Sequence, residues 1–588
     1  MQDCITKEVR KLLVFDVETS TPQGKPNPLV DKFKYLGAYD LKEKKYYFIS
    51  DKKEGRDLLR KHKIVIGFNS KKYDEPILKR EQMWTNGHIH IDLFEVVDKR
   101  KHFLKCKNKS RSLASLAKIF GLSEGKGELD YSLLNKESVT DEEYELIKKY
   151  TLQDIKVTKE MFEYLYKFFE PFKEYMSDYD IKTYKWLTSA ISVYAYKVIC
   201  NLTGLKEEYD DSDGVGYKGG FVAEPEVDEE HGKIYCMDFN SLYPHCFIQG
   251  NLYSHSCKCC DDKWTGNELF PVKGGYCRMK QGDIERLLFK FYKQRIQFKK
   301  EKDNREYLIK IIINSIYGLS GSPTFKSLFN QNTASDCTLI ARRCCKLARD
   351  KFRSAGYKIL YSDTDSVYLK DLHDDKERML MVKDNIIKII KQNLPFPCHT
   401  FDMGIDEEIK HIWFFKKTGR KLKKHYMYVT KNNKVKVKGL PMIKRDSSRL
   451  GLIVFNKYMK EKIKSGKIKF KYGDLRKWAY EELANDINVV ARTFMVGSLK
   501  SYKNGTQLQA QISKVYGSGK HILIPNKYTG VGKSVKYCTI NEFKKSGFNV
   551  NAISLNKYWS EMEFFSEFIP KKDNIKKGMI SLEAWCDV

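Results

Sequence analysis

Residues 358–370 read KILYSDTDSVYLK, and this stretch decides the fold of the chain. Two apolar stretches, residues 359–361 and 367–369, flank a short polar centre, which is typical of a β-hairpin. The carboxylates Asp363 and Asp365 are therefore predicted at the tip of the hairpin. Taken alone, they are equally consistent with ordinary acidic turn residues, so their meaning depends on the segments around them.

The segment KIYCMDFNSLYP, residues 233–244, predicts a strand that runs into a tight turn. Asp238 lies near the end of that strand, and Tyr243 follows the turn. Together with the two aspartates of the hairpin, Asp238 makes a set of three carboxylates. Such a set can hold two Mg²⁺ ions for phosphoryl transfer, because the ions neutralise the charge that develops on the transferred group.

A charged helical hairpin is predicted between the two acidic segments. In its second helix, helical spacing places Lys310, Asn314 and Tyr317 on one stripe. A lysine on an otherwise apolar helix is expected to meet an anionic partner, and a triphosphate is a natural one. In the first helix, Arg295 and Lys299 lie four residues apart. They either complete a clamp on the phosphates or form a solvated basic face.

A second acidic set lies near the start of the chain. Residues 12–18 (LLVFDVE) predict a mostly buried strand on which Asp16 and Glu18 leave the same face. Two carboxylates on one face repel each other unless a cation lies between them, and such oxygen ligands suit Mg²⁺ or Mn²⁺. Further strands are predicted at residues 34–40, 45–50 and 64–69.

A long helix is predicted over residues 140–169, and it opens with the capping-box sequence TDEE. Tyr150 and Asp154 share one face of this helix, and Asp74 follows the last predicted strand. The four carboxylates of this region can hold two metal ions about 4 Å apart, as phosphodiester hydrolysis requires. Tyr150 is expected to orient the attacking water. Strands followed by helices predict an α/β domain that ends near residue 185.

The composition sets the class of protein. At 588 residues the chain has several domains, and 41% hydrophobic and 31% charged residues exclude a disordered or fibrous chain. The 107 Lys and Arg residues against 76 Asp and Glu leave a net charge of +31, which favours a nucleic-acid partner, although an AT-rich genome also enriches lysine. The cysteines are scattered, which predicts a reducing, cytoplasmic location. The polar start predicts no signal peptide, and the lack of an apolar run of about 18 residues predicts no membrane span.

Taken in order over residues 11–450, these segments resemble the family B DNA polymerases that carry a 3′–5′ proofreading exonuclease. The exonuclease motifs DxE, Nx₂₋₃(F/Y)D and Yx₃D match Asp16/Glu18, Asn69/Tyr73/Asp74 and Tyr150/Asp154. The polymerase motifs DxxSLYP, Kx₃NSxYG and YxDTDS match residues 238–244, 310–318 and 361–366. The resemblance implies template-directed addition of deoxynucleotides to a primer 3′ end, with proofreading.

The fold that the resemblance implies is an α/β and α+β multidomain chain. It combines an RNase H-like exonuclease domain with a right-hand polymerase of palm, fingers and thumb. The predicted ranges are residues 1–185 for the exonuclease domain, 186–281 and 318–455 for the two parts of the palm, 282–317 for the fingers hairpin and 456–588 for the thumb.

The resemblance assigns catalytic and metal-binding roles. Asp238 and Asp363 match the metal-bridging carboxylates and Asp365 a supporting one. The exonuclease metal ligands match Asp16, Glu18, Asp74 and Asp154. Two Mg²⁺ ions are implied in each active site, with Mn²⁺ as a substitute. Lys126, in KGEL, resembles a catalytic lysine of phage members, and a solvated lysine is an equally open interpretation.

The resemblance also assigns contacts with the implied substrates, primer–template DNA and deoxynucleoside triphosphates (dNTPs). Tyr243 matches the steric gate that excludes a 2′-hydroxyl group. The rest of the nucleotide site matches Ser241, Leu242, Arg295, Lys299, Lys310, Asn314 and Tyr317. The DNA contacts match Asn69 and Tyr73 for a single-stranded 3′ end, Tyr217, Gly219 and Gly220 for the template, and Lys424 and Tyr426 for the primer end.

The spacing of the motifs narrows the subgroup that the chain resembles. Asp238 and Lys310 are 72 residues apart, and Gly318 and Asp363 are 45 apart. Neither interval has room for the insertions of protein-primed phage members. The chain therefore resembles a minimal viral, phage or plasmid enzyme in an infected host cell. It is expected to be a monomer, with a processivity factor or helicase as candidate partner.

Histidine and cysteine cluster in one segment that can ligate Zn²⁺. Its members are His255, Cys257, Cys259, Cys260 and Cys277. The spacing is irregular, so ordinary reduced cysteines are the competing interpretation.

Two other functions compete with the polymerase interpretation. One is a nuclease whose polymerase half only holds DNA, and intact Asp238, Asp363 and Lys310 argue against it. The other is a structural protein that binds nucleic acid. Such a protein has no need of seven matching carboxylates.

Overall fold

The structure is a computed structural model, and it describes residues 12–167 and 190–568 apart from short gaps. The gaps are residues 25, 101–103, 105, 107–109, 111, 124, 126, 211, 213–215, 260, 304, 418, 445–446, 467 and 503. The chain divides into two compact units. The first consists of residues 1–218, 243–267 and 271–337, and the second of residues 219–242, 268–270 and 338–588.

The first unit contains a mixed five-stranded sheet. Its strands are β1 Leu12–Ser20, β2 Lys32–Asp40, β3 Lys45–Ile49, β4 Ile64–Gly67 and β5 Ile89–Asp92. Their order is β3-β2-β1-β4-β5, with β1 antiparallel to β2 and parallel to β4. Residues 12–15 of β1 are fully buried, as expected for a central strand with both faces covered.

Five helices accompany this sheet. They are α1 Lys52–Lys61, α2 Asp74–Arg80, α3 Leu93–Arg100, α4 Leu113–Phe120 and α5 Asp141–Lys167. The capping box of α5 is formed, because the Glu143 amide donates to Thr140 Oγ1 at 3.2 Å and the Thr140 amide to Glu143 Oε2 at 3.0 Å. α5 packs on β1, β2 and β3. It comes closest at Gly37, where a Cβ atom would collide with Thr151 Cγ2.

The middle of the chain continues with helices and three further strands. In order they are α6 Ile191–Thr203, β6 Glu229–Phe239, α7 Leu242–Gly250, β7 Lys263–Trp264, β8 Tyr276–Cys277, α8 Asp283–Lys300, α9 Arg305–Ser320 and α10 Gln331–Ser354. α8 and α9 form the predicted helical hairpin, and α9 also packs on α6. Ile309, Ile313 and Ile316 are buried in this packing, whereas Lys310 and Asn314 face solvent.

The second unit contains a six-stranded antiparallel sheet that includes β6. Its other elements are β9 Lys358–Asp363, β10 Ser366–Lys370, α11 Lys376–Gln392, β11 Met403–Lys417, β12 Arg420–Thr430 and β13 Val435–Lys438. The order is β13-β12-β11-β6-β10-β9. β9 and β10 are the predicted hairpin, and Ser366 pairs with Asp363 on one side and with Asp238 on the other. The sheet therefore brings the two acidic segments to the same end.

The C-terminal elements are mixed. They are α12 Arg449–Val454, α13 Lys460–Lys464, α14 Tyr472–Asn485, β14 Arg492–Val496, α15 Leu508–Tyr516, β15 Gly519–Asn526, β16 Lys536–Cys538, α16 Ile540–Lys545 and α17 Asn556–Met562. A π-helix, Phe455–Met459, joins α12 to α13, so the boundary predicted after residue 455 falls inside a helical stretch. One apolar core contains Trp413 of β11 together with Leu450 and Phe565. The tail thus shares its core with the large sheet.

The local predictions from sequence are confirmed over the described residues. All four predicted N-terminal strands form, with ends displaced by at most two residues, and the long helix begins at Asp141. The predicted end of the first domain near residue 185 lies outside the described residues. In the part of the chain that the structure describes, no helix is both long enough and apolar enough to span a membrane.

Candidate active sites

The N-terminal carboxylates meet where β1, α2 and α5 come together. Asp16 and Glu18 lie on β1, Asp74 is the first residue of α2, and Asp154 lies on α5. Glu18, Asp74 and Asp154 are only 6%, 4% and 2% exposed, and Asp16 is half-buried. Asp74 Oδ1 accepts a hydrogen bond from the Val17 amide at 3.1 Å. This bond fixes the start of α2 against the strand segment that carries Asp16 and Glu18.

The electrostatics of this set suit a divalent cation. Burial, together with the charges of Glu18 and Asp92, raises the pKa of Asp74 to about 8. Crowded carboxylates repel one another, and a divalent cation among them relieves the repulsion, so the oxygen donors present fit Mg²⁺ or Mn²⁺. In the described part of the chain, three or more possible metal ligands lie within 4.8 Å of one another at a set of three cysteines. The carboxylates of this site do not meet that criterion. A single ion held by three of these carboxylates therefore requires their side chains to move closer together.

The face of α5 that meets β1 also carries Tyr150 and Thr151. Tyr150 is buried, and its hydroxyl group lies 2.8 Å from that of Tyr131. Burial, this hydrogen bond and the charge of Asp154 raise the pKa of Tyr150, so its hydroxyl group stays protonated. Thr151 Oγ1 donates to Glu18 Oε1 at 3.2 Å. None of the sequence motifs includes Thr151, although helical spacing places it three residues before Asp154 on the same face of α5.

Asn69 and Tyr73 lie in the loop between β4 and α2. Asn69 is exposed and has a positive φ of 58°, and its amide donates to Asp92 Oδ1 at 2.8 Å. The Tyr73 hydroxyl donates to Asp31 Oδ2 at 2.5 Å and lies 2.7 Å from Thr19 Oγ1. Tyr73 is thus held next to the strand that bears Asp16 and Glu18, whereas Asn69 is held by β5. The local sequence does not predict that Asp31 accepts the hydrogen bond of the Tyr73 hydroxyl group.

The carboxylates of the large sheet lie at one end of β6 and at the tip of the β9–β10 hairpin. The turn contains Thr364 with a positive φ of 62°, and the Asp365 amide donates to the Asp363 carbonyl at 2.7 Å. The Asp365 carbonyl in turn accepts from the Phe239 amide at 2.9 Å. Asp365 therefore lies next to Phe239, the last residue of β6, which directly follows Asp238. Burial and the charge of Asp363 raise the pKa of Asp365.

Lys424 and Tyr426 of β12 differ in exposure. Lys424 is exposed, and its Nζ lies 3.2 Å from Asp363 Oδ1 and 3.3 Å from Thr364 Oγ1. Tyr426 is only 2% exposed, and its hydroxyl group lies 3.0 Å from that of Tyr368 beneath the sheet. The buried side chain of Tyr426 is not exposed to DNA, contrary to the predicted direct contact. Strand periodicity would put Lys424 and Tyr426 on one face, but the positive φ of 62° at Lys424 breaks the regular alternation there. Lys424 is the residue of this motif that lies beside the carboxylates.

Three aromatic residues of the first unit contact one another in series. The rings of Tyr243 and Tyr317 are stacked, with centroids 4.6 Å apart, and Tyr217 meets Tyr317 edge-on at 6.4 Å.

The two residues before Tyr243 belong to the second unit. Ser241 is half-buried with a positive φ of 47°, and the Leu242 side chain is buried. The predicted contact of Leu242 with the nucleotide is therefore open only to its backbone.

The basic residues of the α8–α9 hairpin differ in their surroundings. Lys299, Lys310 and Asn314 are exposed. Arg295 is mostly buried, and its Nε donates to Glu306 Oε1 at 2.7 Å across the hairpin. Lys310 lies on the solvent side of α9, away from its packed apolar face, so the binding of a triphosphate by Lys310 stays a prediction. Arg295 contributes to the packing of the hairpin as well as to its charge.

Comparison with known families identifies the two parts of the chain. Residues 284–516 match the sequence model described as DNA polymerase family B. Over these residues the chain is similar to DNA polymerase family B. Residues 13–166 match the RNase_H superfamily, and these residues contain the five-stranded sheet and nearly all of α5. The family B polymerase fold and an RNase H-like exonuclease domain, both predicted from sequence, are thereby confirmed. Lys126 lies outside the described residues.

Archaeal DNA polymerases are among the curated proteins that the chain is similar to. The DNA polymerase of Archaeoglobus fulgidus is 23% identical over 485 residues, which cover 74% of this chain and 58% of that protein. DNA polymerase 1 of Saccharolobus solfataricus is 28% identical over 320 residues, or 50% of this chain and 34% of that protein. The family B DNA polymerase of Pyrobaculum calidifontis aligns with a TM-score of 0.47 at 16% identity, covering 95% of this chain and 77% of that one. The chain therefore spans less than two thirds of the length of the two curated relatives.

The glycines of the predicted template element lie close to the acidic hairpin. The Gly219 carbonyl accepts from Arg342 Nη1 at 2.8 Å, and Gly220 follows it directly. The Phe221 carbonyl accepts from the Thr364 amide at 2.7 Å. The element is thus attached to the turn that carries two of the polymerase carboxylates.

Proposed function

We propose that this chain is a DNA-directed DNA polymerase that extends a primer on a template and removes mispaired 3′ ends at a separate exonuclease site. The observation that carries the proposal is the pairing of Ser366 with both Asp363 and Asp238, in a chain whose residues 284–516 match DNA polymerase family B. The two aspartates flank Ser366 on the strands to either side of β10. Each strand spacing is about 5 Å, so their backbones are about 10 Å apart and both carboxylates can face one two-ion site.

Both proposed sites depend on divalent cations, Mg²⁺ or Mn²⁺. Two ions are proposed in each site. Their ligands are Asp238, Asp363 and Asp365 in the polymerase site, and Asp16, Glu18, Asp74 and Asp154 in the exonuclease site. When bound, such ions activate the attacking oxygen and stabilise the leaving one. The raised pKa values of Asp74 and Asp365 support this proposal, because both reflect buried carboxylates beside further negative charge.

The exposed basic residues of the α8–α9 hairpin are proposed to bind the triphosphate of the incoming nucleotide. Lys299 and Lys310 are the main candidates because they face solvent, and Arg295 supports them from its ion pair with Glu306. Tyr243 is proposed to exclude a 2′-hydroxyl group through the bulk of its ring. Catalysis by the chain then consists mostly of positioning and charge stabilisation.

The proposed editing reaction uses residues of the RNase H-like domain. A single-stranded 3′ end is proposed to lie near exposed Asn69 and the ring of Tyr73, since stacking on aromatic rings holds unpaired bases. Tyr150, whose hydroxyl group is held by Tyr131, is proposed to orient the attacking water. Thr151 keeps Glu18 in position through the hydrogen bond to its Oε1.

The substrates follow from the same proposal. Primer–template DNA and dNTPs are the proposed substrates, and the net charge of +31 supports salt-dependent binding of DNA without sequence preference. The basic C-terminal part is proposed as the thumb that contacts duplex phosphates. The compact motif spacing supports replication of a viral, phage or plasmid genome by a monomer assisted by a processivity factor or helicase.

The test is an extension assay with a 5′-labelled primer on a longer DNA template. Purified protein and Mg²⁺ are added with and without the four dNTPs. The proposal predicts longer products with dNTPs and shortened primers without them. Shortening in both reactions would instead indicate a nuclease whose polymerase half only holds DNA.

Paired variants assign the two activities to the two sites. Asp16→Ala with Glu18→Ala should abolish 3′ degradation and leave extension intact, and Asp238→Asn should do the reverse. Glu137→Ala, an exposed acidic residue of the first unit, serves as the control and should change neither. Loss of both activities in either variant would contradict two separate metal sites.

A further inference from the structure

The loop between α7 and α8 contains a cysteine cluster that the proposed polymerase activity does not use. The Sγ atoms of Cys257, Cys259 and Cys277 all lie within 4.8 Å of one another. Within the described residues, three or more histidine, cysteine or acidic side chains with ligand atoms this close together occur at this cluster. We propose that these three cysteines form a structural zinc site that fastens the loop leading into α8.

The distances between the sulfur atoms suit a shared ion. Sγ of Cys259 lies 2.7 Å from that of Cys257 and 3.3 Å from that of Cys277. Three thiolates bound tetrahedrally at the usual Zn–S distance of about 2.3 Å lie about 3.8 Å apart, so small side-chain rotations admit the ion. None of the three cysteines forms a disulfide, and their sulfur atoms are farther apart than the roughly 2.0 Å of such a bond.

The loop is already arranged to present the buried member of the cluster. The Cys277 amide donates to Ser254 Oγ at 2.8 Å, and its carbonyl accepts from Asn251 Nδ2 at 2.8 Å. Cys277 also pairs with Lys263 in the short β7–β8 ladder. These bonds fix the backbone of Cys277 against the segment that leads to Cys257. The metal site is therefore largely preformed.

Two backbone amides donate to the sulfur atoms of the cluster. The Lys280 amide lies 3.3 Å from Cys277 Sγ, and the Cys259 amide lies 3.3 Å from Cys257 Sγ. Hydrogen bonds of this kind orient and stabilise thiolates that ligate metals. Thiols that serve only as small apolar side chains have no need of them. This second observation distinguishes the cluster from an accidental contact of cysteines.

The protonation of the cluster is expected to change with the ion. Contacts with the sulfur atoms of Cys257 and Cys277 raise the pKa of Cys259 to about 12, so the thiols keep their protons when no metal is bound. Binding of a metal ion replaces these protons, so zinc uptake releases protons and weakens as the pH falls.

Only part of the five-residue group identified in the sequence takes part. His255 Nε2 lies 3.3 Å from Asn330 Nδ2, so the ring is directed to a different partner. Cys260 lies outside the described residues. Cys259 is exposed, which leaves the fourth position of a tetrahedral ion accessible from solvent.

Zinc analysis of the full-length protein tests the proposal. The protein is produced in zinc-supplemented medium, purified with a reductant and without a chelator, and analysed by mass spectrometry for metals. About one zinc ion per chain is expected, as for a single site. Exchange for Co²⁺ should give the absorption of thiolate–cobalt charge transfer, and a strong chelator should lower the melting temperature.

Matched cysteine variants decide where the metal binds. Cys259→Ser changes an exposed residue and Cys257→Ser a half-buried one, so both variants should fold. Each variant lacks one ligand and should lose at least most of the zinc and of the cobalt absorption. Cys538→Ser, a buried cysteine of β16 outside the cluster, should retain both. Zinc-free wild-type protein, full zinc content in Cys257→Ser and Cys259→Ser, or a Cys257–Cys259 disulfide in reduced protein would each overturn the proposal.

Discussion

The ring of Tyr243 lies stacked on the ring of Tyr317, with centroids 4.6 Å apart and planes inclined by 26°. Tyr317 is contacted in turn by the edge of Tyr217 at 6.4 Å. Aromatic contacts of this kind favour one orientation of each ring. Tyr243 is therefore a rigid surface, as exclusion of a single hydroxyl group requires.

Replacement of Tyr243 by alanine should admit ribonucleotides. Removing a steric clash of about 1–3 kcal/mol should reduce discrimination against ribonucleotides by about 10- to 100-fold. The measurement is kcat/KM for insertion of a ribonucleotide relative to the matching deoxynucleotide. Tyr243→Phe should keep full discrimination because the ring remains, and Tyr317→Ala should give an intermediate value.

The control for this series is Tyr307→Ala, which removes an exposed ring from the same helix as Tyr317. Its discrimination should equal that of the unmodified protein. Unchanged discrimination in Tyr243→Ala would show that another residue is the gate.

The two aspartates of the acidic turn should contribute unequally to extension. Asp363 is already paired with Lys424, whereas Asp365 is bonded through its carbonyl to Phe239, next to Asp238. Asp365→Asn is therefore expected to lower the extension rate more than Asp363→Asn. Single-turnover extension rates at saturating dNTP measure the difference. A larger loss in Asp363→Asn would restore the ranking implied by the sequence resemblance.

A methyl group at Gly37 should impair editing and stability together. Gly37→Ala would press on Thr151 and lie 3.2 Å from Ile155 Cγ1, and overpacking of this kind costs about 1–3 kcal/mol. Displacement of α5 would move Tyr150 and Asp154, so degradation of single-stranded DNA should fall while extension persists. The assays are thermal melting and 3′ degradation.

Gly87→Ala is the matched control, since a Cβ atom at Gly87 would meet nothing within 4 Å. This variant should melt and degrade DNA like the unmodified protein. If Gly37→Ala did the same, the close approach of α5 would not matter for the site.

A buried acid in α8 should make the stability of the protein depend on pH. Glu285 is fully buried, and its Oε1 accepts from the Tyr253 amide at 2.6 Å. Burial raises the pKa of Glu285 from 4.5 to about 7. The unfolded chain releases this proton near pH 4.5 and the folded chain near pH 7, so the free energy of unfolding falls as the pH rises between these values.

Glu285→Gln should remove this pH dependence, because it keeps the acceptor for Tyr253 and carries no charge. It should be more stable than the unmodified protein at pH 8, by up to about 3 kcal/mol, and show no such gain below about pH 4.5. Denaturant unfolding at several pH values measures the gain. Glu301→Gln, an exposed change at the end of the same helix, should have little effect at any pH. A constant difference between Glu285→Gln and unmodified protein at all pH values would contradict the shift.

Several features of the fold could be predicted because their causes are local. The turn at Thr364 follows from apolar alternation on either side of a polar centre, and the start of α5 follows from the capping box at Thr140. The shared face of Asp16 and Glu18 follows from strand periodicity alone. These signals lie within about ten residues, so no knowledge of distant contacts is needed.

Other features could not be predicted because they depend on contacts between distant segments. Tyr426 is buried by Tyr368, 58 residues away in sequence, and Thr151 meets Glu18 across 133 residues. The ion pair of Arg295 with Glu306 joins two helices whose packing the sequence pattern does not specify. Burial and hydrogen bonding of a side chain are decided by such neighbours.

The sequence by itself determined the strands and helices that carry the acidic residues, the order of the motifs and the resemblance to family B. Only the tertiary structure decided that Asp365 is bonded to the β6 segment after Asp238, that Lys310 faces solvent, and that Cys257 and Cys277 come together. The physical reason is that periodicity and turn propensity act along the chain. Convergence of charges and sulfur atoms requires a register between strands and a packing of helices that only the complete core fixes.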